Sequence, residues 1–382
     1  MKAWRTFSVA LIAISMLTAC MKTNIIEEIS IVVALGFDVN KDQTFRVTSS
    51  FLESQTEPKL NKERSVSVHT KTSQGAQQLF TQRVGYELAF GQIRVLLLDP
   101  KLFEAQKANE IQLLSRDPLY GDMIKIVIAD QGAADILEHR YKSIPNIGTY
   151  LNNMLDHNTN KSWSPVMTMH EFSKDKSEDL YREKVIPIME RQGEEIEITG
   201  SALLQNSQIV GRASAQESFY IKSLRGEDAE FPYEVFFTKQ QLIESGMIHH
   251  FPRNENVQDV SLAFKIINSK GHIHVTDLDK LEFKATVNVE IDIQGISEYY
   301  NFQDSRAIAA LKKQLRSTLT THLQQVLDKI KQVNSDCVGF SERYRSMIPH
   351  SKLQQTNWIE LFPTSTLQGD VNIKLIRTGT KE

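Results

Sequence analysis

The sequence predicts an α+β protein of more than one domain, with mixed and antiparallel sheets packed against helices and one long amphipathic helix near the C-terminus. Three observations predict it. Short β-like runs begin at Ile29 and alternate with helical spacing as far as residue 192. A set of strands with two-residue alternation follows, ending at Ile293. An apolar stripe at helical spacing then runs from Gln303 to Val333, through Ile308, Leu311, Leu315, Leu319, Leu323, Val326, Leu327 and Ile330.

The 382-residue chain opens on the basic stretch Met1-Lys2-Ala3-Trp4-Arg5, followed by an uncharged run from Phe7 to Leu17. That order is the layout of a secretory signal. The run is too short for a permanent span, which needs roughly 20 residues, so residues 1–19 are read as a signal peptide. Leu17-Thr18-Ala19-Cys20 resembles the bacterial lipobox, in which an aliphatic residue and two small residues precede the cysteine that takes lipid. A thiol suits that chemistry because it is a soft nucleophile. Cys20 would become the first residue of the mature chain, carrying an S-diacylglyceryl group, with N-acylation as a further option. At roughly 0.8 kcal/mol per buried CH₂, one acyl chain holds only marginally and two hold durably. Residues 20–28 form the tether, and membrane lipid is the first partner, on the extracytoplasmic face.

Hydrophobic residues make up 41% and charged residues 24% of the chain, which is the composition of a folded soluble body. Loss of Lys2 and Arg5 with the signal leaves 47 acids against 42 bases and moves the formal charge from -3 to -5. That balance argues against nucleic acid as a partner. Cys337 is the only other cysteine, so the mature monomer has no partner for an intrachain disulfide. It reads as a small core residue.

The predicted elements follow in order. Ile29 to Leu35 is a buried strand, Gly36 to Asp42 a turn, and Thr44 to Leu52 a second strand. Glu53 to Arg64 is a polar loop and Ser65 to Lys71 a strand. Ser73 to Phe90 has helical spacing, with Ala76, Leu79, Phe80, Val84 and Leu88 near one face. Ile93 to Leu98, Pro100 to Ser115, Met123 to Ala129 and Gln131 to Arg140 read as strand, helix, strand and helix. Ile144-Pro145-Asn146-Ile147-Gly148 opens a helix to about His157; helical spacing resumes near Val166, and Tyr181 to Ile188 is extended. Gly193 to Gly200 marks a seam, dividing the body into residues 29–192 and 193–382. Glu195 to Leu204 and Gln208 to Arg212 form a hairpin about Gln205-Asn206-Ser207. Ser214-Ala215-Gln216-Glu217 is a capping box, and Gly226 is placed to end the helix it opens. Tyr233 to Lys239, Val257 to Asn268, His272 to Thr276 and Leu281 to Ile293 form an antiparallel set with one wet face. Two short helices around Tyr344 and Trp358 precede a last strand, Gly369 to Arg377.

Within this frame Ile31-Val32-Val33-Ala34-Leu35-Gly36-Phe37-Asp38, soon after the lipobox cysteine, resembles the start of the Ger(x)C family. Matching segments follow in order: Ser115-Arg116-Asp117-Pro118, Ile126 to Leu137, Leu224-Arg225-Gly226, Asn357-Trp358 with Leu361-Phe362-Pro363, and Val371 to Gly379. The resemblance covers essentially the whole mature chain. One departure stands at Met21-Lys22-Thr23-Asn24, where the family has tryptophan, aspartate and basic residues. The resemblance implies a lipid-anchored, non-enzymatic C subunit of a spore nutrient germinant receptor, on the outer surface of the inner spore membrane. It implies A and B membrane subunits as partners, and assigns nutrient binding to them.

No phosphate-cradling glycine loop, nucleophile elbow, HExxH or paired-cysteine metal site is present in the sequence, and no cofactor is expected. His272 and His274 alternate on one strand face, an arrangement a metal could use, but a third ligand is not evident and Asn268 to Gly271 reads as a turn. His249-His250 is the other histidine cluster, and Glu194 to Glu197 and Glu227-Asp228 read as solvated charge runs. Phe236-Phe237 and Tyr299-Tyr300 each place one ring inside and one outside. Two competing functions are a lipoprotein that captures a solute for a transporter and an anchored enzyme. The first calls for two similar α/β lobes and the second for a catalytic constellation.

Overall fold

The computed structural model describes residues 29–53, 62–85, 87–104, 111, 113–117, 120–160, 162–174, 182–252, 257–349 and 357–377. Cys20, the signal peptide, the tether to residue 28, Pro118 and most of the predicted loop after Glu53 lie outside the described residues.

The first half builds one large sheet. β1 (Ile29–Val39), β2 (Phe45–Glu53) and β3 (Lys62–Thr70) form an antiparallel meander. After α1 (Ser73–Arg83) and the short β4 (Glu87–Ala89), the chain enters β5 (Val95–Leu98), α2 (Lys101–Glu104) and β6 (Lys125–Ala129). α3 (Ala133–Leu137), α4 (Ile147–Asn160) and α5 (Met169–Ser173) lead to β7 (Val185–Gln192), β8 (Glu195–Gln205) and β9 (Gln208–Ser214). The strand order is β3-β2-β1-β5-β6-β7-β8-β9, with β4 beside the first residues of β1. β1, β5, β6 and β7 are parallel, which requires crossovers that cover both faces. Phe80 of α1, Leu102 and Phe103 of α2 and Phe172 of α5 pack on one face. Ile136 of α3 and Leu151 and Leu155 of α4 pack on the other.

The second half adds α6 (Ala215–Leu224), β10 (Phe231–Phe237), α7 (Lys239–Ser245), β11 (Val260–Asp277) and β12 (Glu282–Ile296). α8 (Ser305–Gln332), α9 (Phe340–Arg345), α10 (Trp358–Leu361) and β13 (Thr366–Arg377) complete it. The order β10-β11-β12-β13 is antiparallel except for β12 and β13, which run parallel and are joined across α8. Asp304 caps α8, and Leu311, Leu315, Leu319, Leu323 and Leu327 are fully buried. Each contributes roughly 1.5–3 kcal/mol. The predicted stripe is therefore the face that docks on the chain's own sheet, while the other face of that sheet carries Lys284, Asn288, Glu290, Asn372 and Lys374.

Several predicted details change, and close packing of glycine explains two. Gly36 lies inside β1 and not in a turn, because a Cβ there would stand 2.6 Å from that of Ala133 in α3. Asn268 to Gly271 is also no turn, since β11 is one 18-residue strand. A Cβ on Gly271 would fall 2.3 Å from Ser223 O and 2.6 Å from Leu224 Cα, so that glycine admits the end of α6. α1 ends at Arg83 because Val84 turns to extended φ/ψ, and Leu88 belongs to β4. The last strand pairs in parallel, and α7 had no predicted counterpart. The predicted turn residues Asn206 and Ser207 have φ of 50° and 64°, and Phe236 is 68% exposed where Phe237 is buried. Gly193 is the left-handed turn between β7 and β8, so residues 192/193 fall at a hairpin within the large sheet.

Candidate functional site: the junction of the two sheets

α6 stands between the sheets, and from Ser218 to Leu224 every residue is buried. Its capping box is closed in both directions: Glu217 N–H donates to Ser214 Oγ at 3.3 Å and Ser214 N–H to Glu217 Oε2 at 2.7 Å. Glu217 also takes Lys329 of α8 at 2.7 Å. Ser218 donates to Ser201 of β8 at 3.0 Å, Tyr220 to Leu319 O of α8 at 3.2 Å, and Ser223 and Ser269 of β11 share a bond of 2.8 Å. One helix thus hydrogen-bonds to the large sheet, the small sheet and the long helix.

Lys222, on the same helix, is 2% exposed and donates to Thr159 O at 2.5 Å, in the last turn of α4, and to Ser162 O at 2.7 Å, just beyond it. Burial pushes its ammonium below the ordinary lysine value, against the pull of Glu227 and Asp228. A buried cation satisfied by two carbonyls is a polar pin between the halves.

Past Leu224 the chain enters a second polar cluster. Gly226 takes the left-handed φ of 82° that ends α6, and Arg225 reaches Cys337 O at 2.9 Å and Glu227 at 3.0 Å. Arg182, just before β7, forms a bidentate pair with Glu342 of α9 at 3.0 and 2.8 Å. Glu183 N–H donates to Asp336 O at 3.0 Å, and Ser335 Oγ to Leu204 O at 2.7 Å. Asp336 is the centre. Its carboxylate accepts Gly339 N–H at 3.0 Å, Phe340 N–H at 2.9 Å, Ser341 N–H at 2.7 Å and the indole N–H of Trp358 at 2.9 Å. Burial raises the Asp336 carboxyl and the donated backbone bonds oppose the rise. Such an arrangement binds elements to one another.

The model of a family described as "Spore germination protein N-terminal domain" matches residues 22–191, and one described as "Spore germination B3/ GerAC like, C-terminal" matches residues 199–379. The chain belongs to the Ger(x)C family. It is 20% identical to spore germination protein GerQC of Bacillus cereus over 385 residues, covering 100% of both chains. The crystal structure of the GerBC protein superposes with a TM-score of 0.51 at 18% identity, over 90% of this chain and 96% of that one, and shares its fold.

Four of the segments that carried the Ger(x)C resemblance meet at two places. At the first, Asp38 of β1 accepts Ala133 N–H at 2.6 Å and Ala134 N–H at 2.9 Å, which fastens α3 to the sheet. Gly36 and Gly132 leave the space for it; a Cβ on Gly132, at φ 101°, would stand 2.9 Å from Asp38 Oδ1. Burial raises the Asp38 carboxyl against those two bonds. At the second, Arg225, Gly226, Trp358 and Phe362 surround the Asp336 cluster or its apolar floor. Sequence reading missed Asp336, Lys222 and Arg182. The signal for Asp336 was an acid set among small and apolar residues three positions before Gly339, whose φ is 93°.

The residues singled out as ligands or acids stay apart from this junction or take other parts. Cys20 lies outside the described residues. His272 and His274 are exposed on one face of β11, and among the described residues no group of three or more His, Cys, Asp or Glu could hold a metal. His250 approaches Asp304 at 3.5 Å, and Glu194 takes His139 at 3.2 Å and Lys142 N–H at 3.0 Å. Among the described residues no helix is long and apolar enough to cross a membrane.

Proposed function

We propose that this Ger(x)C protein is the lipid-anchored, non-enzymatic C subunit of a spore nutrient germinant receptor. Cys20 holds it to the outer face of the inner spore membrane, where it assembles with the A and B membrane subunits, and those partners bind the nutrient. The observation that carries this reading is family membership through both halves, behind a lipobox-like Leu17-Thr18-Ala19-Cys20. The junction supports a part in assembly or signal transmission, because its buried polar side chains join elements of both sheets to one another. Division of the body into residues 29–192 and 193–382 belongs to the same proposal.

The test is a Cys20→Ala variant, followed by membrane fractionation and nutrient response in spores. Loss of both from the membrane and from the response is the expected result. Release of a monomer that carries a tightly bound nutrient would overturn the reading in favour of a solute-binding lipoprotein.

A further inference from the structure

The small sheet ends on β13, and α8 seals only part of its outer edge. Gln324 of α8 donates to Leu367 O at 3.0 Å and accepts Gly369 N–H at 2.9 Å, and Thr320 Oγ1 accepts Val371 N–H at 3.2 Å. The Gln324 amide stands in for a residue of a neighbouring strand. Backbone groups alternate in direction along a strand, so the amides of Ile373 and Leu375 point to the same edge. Among the described residues no group takes either of them on that side.

Beside this open stretch, helix and strand part around a cleft of about 670 Å³ whose lining includes Lys312, Lys313, Arg316, Asn372 and Ile373. Lys312, Lys313 and Arg316 are exposed. The one acid in the lining, Asp370, is already paired with Arg316 at 2.8 Å and Lys284 at 3.1 Å. The half-buried Ile373 and Leu375 add apolar surface. Lysines that guard a sheet edge usually sit on the strand itself; these sit on the helix across the cleft and leave the amides open.

We propose that the cleft receives an extended acidic segment of another polypeptide, which adds to β13 as a strand at Ile373 and Leu375 and sets its carboxylates against Lys312, Lys313 and Arg316. Main-chain bonds would hold such a segment and the cations would select its charge. The proposal does not depend on Cys20.

The test uses the full chain with a short synthetic peptide alternating glutamate and valine, and a lysine-valine peptide as control. Fluorescence anisotropy should show saturable binding of the acidic peptide only, with slowed hydrogen exchange at Ile373 and Leu375. Lys312→Glu with Lys313→Glu should weaken binding roughly tenfold or more. Ile373→Pro, which removes one outward N–H and leaves the ladder to β12, should weaken it comparably while the circular dichroism spectrum is unchanged. Absence of binding overturns the proposal, as does binding that Ile373→Pro leaves intact with no amide protected. Phosphatidylglycerol vesicles that bind in place of the peptide would reassign the cleft to lipid headgroups.

Discussion

The carboxylate of Asp336 and the indole N–H of Trp358 meet at 2.9 Å, and the two residues are 2% and 8% exposed. Three backbone N–H groups from Gly339, Phe340 and Ser341 converge on the same carboxylate. A loop, α9 and α10 are therefore gathered on one side chain. Trp358→Phe keeps most of the ring and deletes the donor, and should cost about 1–3 kcal/mol in urea unfolding. Asp336→Ala strands all four donors and should cost at least about 3 kcal/mol. Equal losses from the two variants would show that ring packing, and not the carboxylate, organises the site.

Gly271→Ala should be far more damaging than its small size implies. The added methyl would lie 2.3 Å from Ser223 O, a backbone atom that can retreat only by moving α6. Overpacking of this kind costs about 1–3 kcal/mol. Gly226→Ala, at φ 82° with open space around it, is opposed by conformation alone and should cost about 1 kcal/mol. Thermal melts of the two variants rank the effects, and the reverse order would remove close packing as the reason for Gly271.

His322 gives a pH dependence. Its Nδ1 lies 2.7 Å from Gln216 Nε2, its ring stacks on Tyr233 at 6.3 Å, and burial holds its pKa below the ordinary value. The facing elements bring neutral groups there, Gln216 from α6 and Tyr233 from β10, and among the described residues no carboxylate pairs with the ring. The unfolded chain therefore binds the proton first, at about pH 6.5. Stability from this residue is complete above that pH and falls as pH drops through the lower folded value. His322→Gln should flatten the acid side of a plot of melting temperature against pH. An unchanged slope would assign acid sensitivity to other groups.

Cys337 should resist thiol reagents in the folded protein. It is fully buried, and desolvation pushes its thiol up to about 12. A reagent that reads thiolate should find none until urea unfolds the chain. Rapid labelling under native conditions would mean that the Arg225 and Asp336 cluster opens locally.

Most of the fold was legible because its signals are periodic. The stripe from Leu311 to Ile330 and the alternation from Phe283 to Ile293 each require a single buried face, and both elements stand where the spacing put them. Local chemistry was legible too, as in the Ser214 and Glu217 box. What failed was the reading of glycine. Gly36 and Gly271 look like turn residues, yet each is needed because a helix from far along the chain presses on its strand. The junction was hidden for a similar reason. Asp336, Arg182 and Lys222 have partners as far as 160 residues away, in the case of Arg182 and Glu342, and sequence spacing reports only near neighbours. The family motifs marked Arg225 and Trp358 without showing what they hold.

The buried course of α6 from Ser218 to Leu224 has a thermodynamic meaning. A helix whose hydrogen bonds go to Ser201, Thr159, Ser269 and Leu319 has no free surface on which to survive if either sheet melts. Loss of one half would expose the apolar bed and the lysine of the other. The two sheets are thereby bound into one cooperative transition, and a calorimeter should record a single heat-absorption peak for the whole body.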